Sequence, residues 1–341
     1  MNQWHPPTIN NKNLYLPILS KNLAYPLNIY RANTDYYLEI SDAFINIWHQ
    51  GPKNDLPENI LDCIVILGKT FCDLISQAQG KTNFQSKTRP DDLVTEVDTG
   101  LEMLFRLWIN KFLPNHKVIG EEGEKEKILA TDTVWYLDPV DGTNNYVKGK
   151  SDVGINICCF KEGTPLLSFV GAPFYKKYFY GTAEISYQEK DKIKTKLSFS
   201  PNIKSNLICT EIDENEAIDH QILKNILTKN NLKDFQTKCI AIDLINLIEG
   251  NILAFYKNNV KIWDIAAPLS LLKYISNDFN FDFYIHHKFD TPIHFFANDA
   301  KFLASLNTEN KLDSKFGFIL VTPKNKPEIK ELILNEYRQN Y

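Results

Sequence analysis

The spacing of apolar residues predicts two amphipathic helices in the first third of the chain, beyond Pro57. The first ends near Gly80, and the second runs from about Glu96 to Phe112. Their apolar faces consist of Ile60, Ile64, Leu67, Phe71 and Leu74, and of Val97, Leu101, Leu104, Trp108 and Phe112. A shorter pattern predicts another helix over 35–48, within a segment rich in Asn, Pro and Tyr.

The pattern then changes to short segments rich in β-forming residues, and later to alternating strands and helices. Strands are predicted over 117–120, 134–137, 153–160, 166–170 and 178–180. Beyond Asn206, strands are predicted through 209 and over 253–256, with helices over 220–227, 240–248, 264–274 and 327–337. This order predicts an α/β (α+β layered) fold, in which sheets and helices form stacked layers.

Composition narrows the class of protein without identifying a ligand. The chain of 341 residues has 38 basic and 42 acidic side chains, which gives no electrostatic basis for binding a nucleic acid polymer. The six cysteines form no CxxC pair and have no His at zinc spacing, so reduced thiols are expected. No secretion signal or apolar segment of membrane-spanning length is recognisable. We therefore expect a cytoplasmic protein that does not contact a membrane.

The most informative stretch is WYLDPVDGT, over 135–143. Three apolar residues enter as a strand would, and Asp138 and Asp141 then flank a proline before the chain turns at Gly142. Two carboxylates this close favour a bound cation, and the amides of Gly142 and Thr143 would face an anion if a helix begins there. The pattern predicts metal-assisted hydrolysis of a phosphate ester, although the same letters also fit an ordinary turn.

Three other acidic segments are candidates for the same site. Glu121 and Glu122 follow a short predicted strand, at the kind of position where α/β proteins place their sites. Asp98 falls in the first turn of the helix that begins near Glu96, and Asp264 is expected to cap a later helix. Taken singly, these are more simply read as a solvated loop, a favourable first-turn charge and a plain N-cap.

Taken together, the segments resemble the inositol monophosphatase superfamily, which comprises magnesium-dependent, lithium-sensitive phosphatases. The shared pattern is Gly-Glu-Glu, then Asp-Pro-Val-Asp-Gly-Thr, then a distant Trp-Asp, found here at 120–122, 138–143 and 263–264. The resemblance covers roughly 57–272. It implies the alternating helix and sheet layers of the inositol monophosphatase and sugar phosphatase fold.

The resemblance also suggests a division of the chain. A phosphatase catalytic domain is expected over 58–300, with a metal-site half over 58–200 and a C-terminal α/β half over 201–300. Residues 1–57 would be an N-terminal extension of unknown role, and 301–341 a C-terminal extension with a helix.

Carried over by resemblance, the site would bind two or three Mg²⁺. One ion would be held by Glu121, Asp138 and the carbonyl of Val140, and a second by Asp138, Asp141 and Asp264. An all-oxygen ligand set suits this ion.

The resemblance assigns the remaining roles to residues around the same turn. Glu121 and Thr143 would position the attacking water, with Asp98 oriented on Thr143. The amides of Gly142 and Thr143 would bind the substrate phosphate.

The substrate is expected to be a small phosphate monoester, with inositol monophosphate first because the segment TNNY at 143–146 is typical of inositol phosphatases. Lys238, Cys239 and Lys257 stand where the family usually has other residues and are candidates for specificity. The two lysines would favour a second negative charge on the substrate, unless both simply point to solvent.

Three other interpretations remain open at this stage. The substrate would alternatively be a 3'(2'),5'-bisphosphate nucleotide or fructose 1,6-bisphosphate, or the chain would be an inactive binding or regulatory homologue. Lithium inhibition and a homodimer are expected from the resemblance alone.

Overall fold

The computed structural model describes residues 60–87, 92–123, 128–129, 131–199, 205–211, 217–284, 293–294 and 316–340. The helix predicted over 35–48 and the rest of the N-terminal extension lie outside the described residues. The described elements are named α1 to α7 and β1 to β15 in chain order.

Apart from the short α3, the helices of the described segments agree closely with those predicted from apolar spacing. They are α1 (Ile60–Ala78), α2 (Glu96–Phe112), α3 (Thr143–Val147), α4 (Ala217–Lys229), α5 (Ile240–Ile248), α6 (Ile262–Ile275) and α7 (Pro327–Asn340). A capping box at Thr95 fixes the start of α2, because its hydroxyl accepts from the Asp98 N–H while Asp98 accepts from the Thr95 N–H. Within the described residues, no helix is both long and apolar enough to cross a membrane.

A seven-stranded sheet has the order β3-β4-β5-β6-β7-β8-β9. Its strands are β3 (Lys117–Gly120), β4 (Thr133–Asp141), β5 (Gly154–Lys161), β6 (Thr164–Ala172), β7 (Lys177–Gly181), β8 (Ser186–Lys190) and β9 (Ile193–Lys196). Strand β3 is parallel to β4, and the other neighbours are antiparallel. Five of these strands were predicted, whereas the hairpin of β8 and β9 was not.

A six-stranded sheet has the order β11-β10-β12-β15-β13-β14. Its strands are β10 (Leu207–Glu211), β11 (Lys233–Phe235), β12 (Ala254–Val260), β13 (Phe279–Tyr284), β14 (Ile293–His294) and β15 (Phe316–Pro323). Strand β15 pairs with both β12 and β13, so this part of the expected C-terminal extension is built into the sheet. A separate hairpin is formed by β1 (Phe84–Ser86) and β2 (Leu93–Thr95).

Two hydrophobic clusters lie on opposite faces of the seven-stranded sheet. Helices α1 and α2 cover one face, and α5 and α6 lie between the other face and the six-stranded sheet. Along β4, Val134 and Tyr136 belong to one cluster, whereas Trp135 and Leu137 belong to the other. This alternation is the two-residue period of a strand buried on both faces, and it confirms the layered α/β fold.

Candidate active site

The acidic end of β4 is buried between the two layers of helices. Asp138 is 2% exposed, Val140 is fully buried and Asp141 is 6% exposed. The pairing with β5 shifts register between Asp138 and Asp141, and the Val140 N–H donates to the Asp138 carboxylate at 3.0 Å. The strand therefore holds both carboxylates in fixed directions instead of releasing them into a mobile turn.

Gly142 makes the transition from β4 to α3. Its φ of +83° is in the left-handed region that favours glycine. An added Cβ would lie 3.0 Å from both the Asp152 carbonyl oxygen and the Cys239 Cβ, so a larger residue would also be crowded. A helix of five residues, α3, begins at Thr143, which meets the condition set for the amides of Gly142 and Thr143.

Glu121 follows β3, next to the acidic end of β4. The parallel pairing of β3 with β4 places Gly120 opposite Leu137, one residue before Asp138. The Lys87 ammonium lies 2.9 Å from the Glu121 carboxylate and 2.5 Å from that of Glu122. Although burial opposes it, this pairing raises the pKa of Lys87 above its usual range, so a fixed positive charge offsets part of the negative charge of the two glutamates.

The backbone that carries Glu121 is held by Glu102 of α2. The Glu102 carboxylate is 2% exposed and accepts from the N–H groups of Glu122 and Gly123, each at 2.8 Å. It also accepts from Arg106 Nε at 2.8 Å. A Cβ on Gly123 would overlap this carboxylate, so a larger residue there would displace the Glu102 and Arg106 side chains. Sequence reasoning missed Glu102, because an acid followed four residues later by Arg is also a common surface pair.

Asp98 and Thr143 lie beside each other, although they are 45 residues apart in the chain. The Thr143 hydroxyl is 3.1 Å from the Asp98 carboxylate and 2.9 Å from the Val140 carbonyl oxygen, which are alternative acceptors for its single proton. Burial raises the pKa of Asp98 to about 7, against the opposing effect of its bonds to Thr95. The predicted orientation of Asp98 on Thr143 is therefore present in the structure.

Asp141 is directed at the start of α5. Its carboxylate accepts from the Ile240 N–H at 3.1 Å and from the Ala241 N–H. Backbone amides at a helix N-terminus attract negative charge, so α5 holds this carboxylate from the second layer of helices.

Asp264 is the third residue of α6 and does not cap it. The predicted cap is wrong, because the helix begins one turn earlier, with Lys261 as its N-cap. The Asn156 amide donates to the Asp264 carbonyl at 3.2 Å and contacts the Asp141 carboxylate at 3.4 Å. In this way β5 links the two acids.

The charges of the four carboxylates act on one another. Burial and then the charge of Glu121 raise the pKa of Asp138 well above its usual range, and Asp141 acts in the same direction. Burial and then the charge of Asp141 likewise raise the pKa of Asp264. Like charges gathered in a buried position are costly unless a cation joins them, so these residues form one acidic centre.

The donors of this centre fit magnesium, since all of them are carboxylate or carbonyl oxygens. The Lys87 ammonium, which pairs with Glu121, shows that the centre already binds a positive charge. Among the described residues, no three His, Cys, Asp or Glu side chains are yet gathered as a metal cage. The hydrogen bonds explain why, because Glu121 is engaged with Lys87, and Asp141 with the amides of Ile240 and Ala241. An incoming ion would compete with these partners.

The three specificity candidates lie in different surroundings. Lys238 is exposed and has a φ of +65°, whereas Cys239 is 1% exposed and contacts the Asp141 carbonyl through its thiol. Lys257 is half-buried in β12, and its charge lowers the pKa of Asp264. Lys261, which was not singled out from the sequence, has the same effect on Asp264. Their roles in substrate selection stay predictions.

Comparison with known proteins agrees with this architecture. The profile of the inositol monophosphatase family matches residues 58–274, more than half of the chain. The inositol-1-monophosphatase of Bacillus subtilis is 26% identical over 199 residues, which are 57% of this chain and 74% of that protein. Inositol monophosphatase 1 of Bos taurus is 26% identical over 223 residues, 62% of this chain and 79% of that one.

Solved structures show the same fold. The Thermotoga maritima IMPase has a TM-score of 0.63 at 20% identity, covering 83% of this chain and all of that one. A staphylococcal inositol monophosphatase soaked in LiCl gives 0.64 at 20% identity, covering 83% of this chain and 96% of that one. The acids of the centre all lie within the residues that the family profile matches. The chain therefore belongs to the inositol monophosphatase family, a family of phosphoric monoester hydrolases.

Proposed function

We propose that this protein hydrolyses a small phosphate monoester with Mg²⁺, and that inositol monophosphate is its substrate. One observation carries the proposal: the end of β4, with Asp138 and Asp141, is buried beside Glu121 at the end of β3 and Asp264 of α6, and the charges of these four acids act on one another. The Gly142–Thr143 turn, which begins α3, lies directly beside them. Carboxylates for a metal next to amides for a phosphate are what metal-assisted ester hydrolysis requires.

The chain supplies the ligands for two ions. Glu121, Asp138 and the Val140 carbonyl would hold one Mg²⁺, and Asp138, Asp141 and Asp264 would hold a second. Bound Mg²⁺ supplies a water of lowered pKa and neutralises charge on the phosphate.

The other residues position the water and the phosphate. The Thr143 hydroxyl, which donates to Asp98 or to the Val140 carbonyl, keeps its lone pairs available to orient the attacking water with Glu121. The amides of Gly142 and Thr143 would accept the charge that develops on the phosphoryl oxygens.

The test is the release of inorganic phosphate from inositol 1-phosphate, with and without Mg²⁺. In Asp141→Asn the rate is expected to fall at least about 100-fold, because the buried site loses one charge that a cation needs. Asp132→Asn is the matched control, since Asp132 accepts from the Leu129 N–H in an exposed turn and should keep full activity. Release that needs no Mg²⁺, or that survives in Asp141→Asn, contradicts the proposal.

A second candidate is a substrate that carries a second phosphate, such as 3'-phosphoadenosine 5'-phosphate. The charges of Lys257 and Lys261 both act on Asp264, and cations next to the acidic centre would favour an extra negative group. Among the similar proteins are a fructose-1,6-bisphosphatase/inositol-1-monophosphatase of Aquifex aeolicus and an IMPase/NADP phosphatase crystallised with NADP. Comparing kcat/KM for inositol 1-phosphate, the bisphosphate nucleotide and fructose 1,6-bisphosphate decides between them.

The remaining expectations follow from this proposal. Magnesium binding without release from any of these substrates would instead support an inactive binding homologue. The cysteines, all free and buried, support a reducing compartment such as the cytoplasm. The homodimer and lithium inhibition stay predictions from the resemblance, to be checked by light scattering and by adding LiCl to the assay.

A further inference from the structure

Asn145, the third residue of α3, joins three segments of chain around the phosphate-binding turn. It is 3% exposed, and its side-chain amide donates to the Asp152 carbonyl at 2.9 Å and to the Thr237 carbonyl at 2.8 Å. The Lys238 carbonyl lies 3.4 Å from the same nitrogen. An amide nitrogen has two protons, so both are committed to the backbone of the two loops.

One of these loops, residues 237–239, leads directly into α5. Lys238 has a left-handed φ of +65° within it, which is a strained conformation for a residue with a side chain. Cys239 is the N-cap of α5 but gives no side-chain capping bond. Within the loop, the Thr237 hydroxyl donates to the Cys239 carbonyl at 3.1 Å, and contacts from outside the loop add to this bond.

Those contacts come from two sides. Asp243 of α5 accepts from the Thr237 N–H at 3.0 Å, and Asn145 donates to the Thr237 carbonyl from the opposite side. The loop is followed immediately by the Ile240 N–H, which donates to the Asp141 carboxylate at 3.1 Å. Any displacement of the loop thus moves the amides that face Asp141.

We propose that Asn145 is a positioning residue, which locks the 237–239 loop onto the Gly142–Thr143 turn and so keeps the amides of Ile240 and Ala241 directed at Asp141. For its kinetic consequence, this inference rests on the proposed function. Glu121 and Asp138 are held by β3 and β4 without help from Asn145. Because Asp141 is one of the proposed Mg²⁺ ligands, loss of the lock should weaken Mg²⁺ binding and leave turnover at saturating Mg²⁺ little changed.

Asn145→Asp is the sharpest variant, because it keeps the size of the side chain and replaces the donor with a carboxylate that faces backbone oxygens. Asn246→Asp is the matched control: the Asn246 amide donates to the Ile242 carbonyl within α5, at 2.9 Å, and does not contact the loop. Both variants change an amide into an acid next to a backbone carbonyl.

Cys239 reports on the loop without any need for activity. All six cysteines are free and buried, and burial together with the Asp141 charge raises the pKa of the Cys239 thiol well above its usual value. In Asn145→Asp, native-state labelling with a disulfide reagent, located by peptide mass spectrometry, should be about tenfold faster or more at Cys239 alone. Asn246→Asp should label as slowly as the original protein.

The second readout is the kinetics of phosphate release from inositol 1-phosphate. Asn145→Asp should raise the Mg²⁺ concentration that gives half-maximal release about tenfold or more, while kcat at saturating Mg²⁺ changes by less than about threefold. A merely structural role would lower kcat with the folded fraction, leave the half-maximal Mg²⁺ concentration unchanged and expose all six thiols together. That result, or a Cys239 that stays protected, overturns the inference. If the original protein releases no phosphate from any substrate, the proposed function fails, and the labelling still decides the role of Asn145.

Discussion

At the scale of single residues, His116 couples stability to pH. It is buried, and its Nδ1 accepts from Trp135 Nε1 at 2.9 Å, which requires a neutral imidazole with its proton on Nε2. Burial, followed by the charge of Lys161, lowers the pKa of His116 from 6.5 to about 4. The unfolded chain thus binds this proton more readily than the folded one. The contribution of neutral His116 to the free energy of unfolding is fully present above pH 6.5 and is lost as the pH falls towards 4.

This predicts that acidification costs up to roughly 3 kcal/mol of unfolding free energy through His116 alone. The variant His116→Gln keeps an acceptor for Trp135 but does not titrate, so it should show a shallower loss across the same pH range. The measurement is urea unfolding of both proteins at several pH values. Parallel curves for the two proteins would contradict the assignment.

Single residues also show where sequence reasoning stops. The acids at 98, 121, 138 and 141 were recognisable because they stand in short motifs, and the structure brings them together. Asn145 and Glu102 were not, because their partners are backbone groups of loops 92 and 20 residues away in the chain. Those contacts exist only after the layers pack, and a local pattern does not contain them.

At the scale of elements, α2 supports the Glu121 loop. In Glu102→Gln, one oxygen becomes an NH₂ group, which then faces either a backbone N–H or Arg106, and a buried donor loses its acceptor. Residues that orient metal ligands typically change metal affinity about 10- to 100-fold when altered, and we expect Mg²⁺ affinity to fall within that range. Calorimetric titration with Mg²⁺ measures this directly.

A matched variant separates this effect from the loss of a buried acid in general. Glu189 of β8 pairs with Lys69 of α1 at 2.7 Å, and Glu189→Gln removes this carboxylate. It should bind Mg²⁺ as the original protein does. Equal affinity in Glu102→Gln and Glu189→Gln would mean that α2 does not position the loop.

The predicted elements succeeded or failed for physical reasons. Helices α1 and α2 were predicted within two residues of their observed ends, since each has a continuous apolar face and clear end signals. Strands β8 and β9 were missed because their residues are mostly polar and solvent-accessible. Strand β4 extends through Asp141 because its neighbour β5 continues to pair with it across an irregularity, which the Asp-Pro sequence alone does not reveal.

At the scale of the whole molecule, α7 completes the hydrophobic cluster beside the six-stranded sheet. Ile333 is fully buried within the cluster that also contains α5 and α6. Ile333→Ala should cost about 2–5 kcal/mol of unfolding free energy, because the cavity cannot collapse freely. KM for the substrate should not change, since the acidic centre is formed by other elements.

Urea unfolding together with the phosphate-release assay checks this prediction. Glu331→Ala is the control. Glu331 is an exposed residue of α7, so its replacement should change the free energy of unfolding by less than about 0.5 kcal/mol. If Ile333→Ala proved as stable as that control, α7 would not be part of the cooperative core.

The position of strand β4 between the two hydrophobic clusters has a consequence for how the protein unfolds. Its side chains alternate between the two hydrophobic clusters, and its last residues are the buried acids. Disorder in either cluster therefore reaches the acidic centre through the same strand. On heating, catalytic activity and cooperative structure should be lost together. The remaining activity would then measure the folded fraction, because no partly unfolded form would be active.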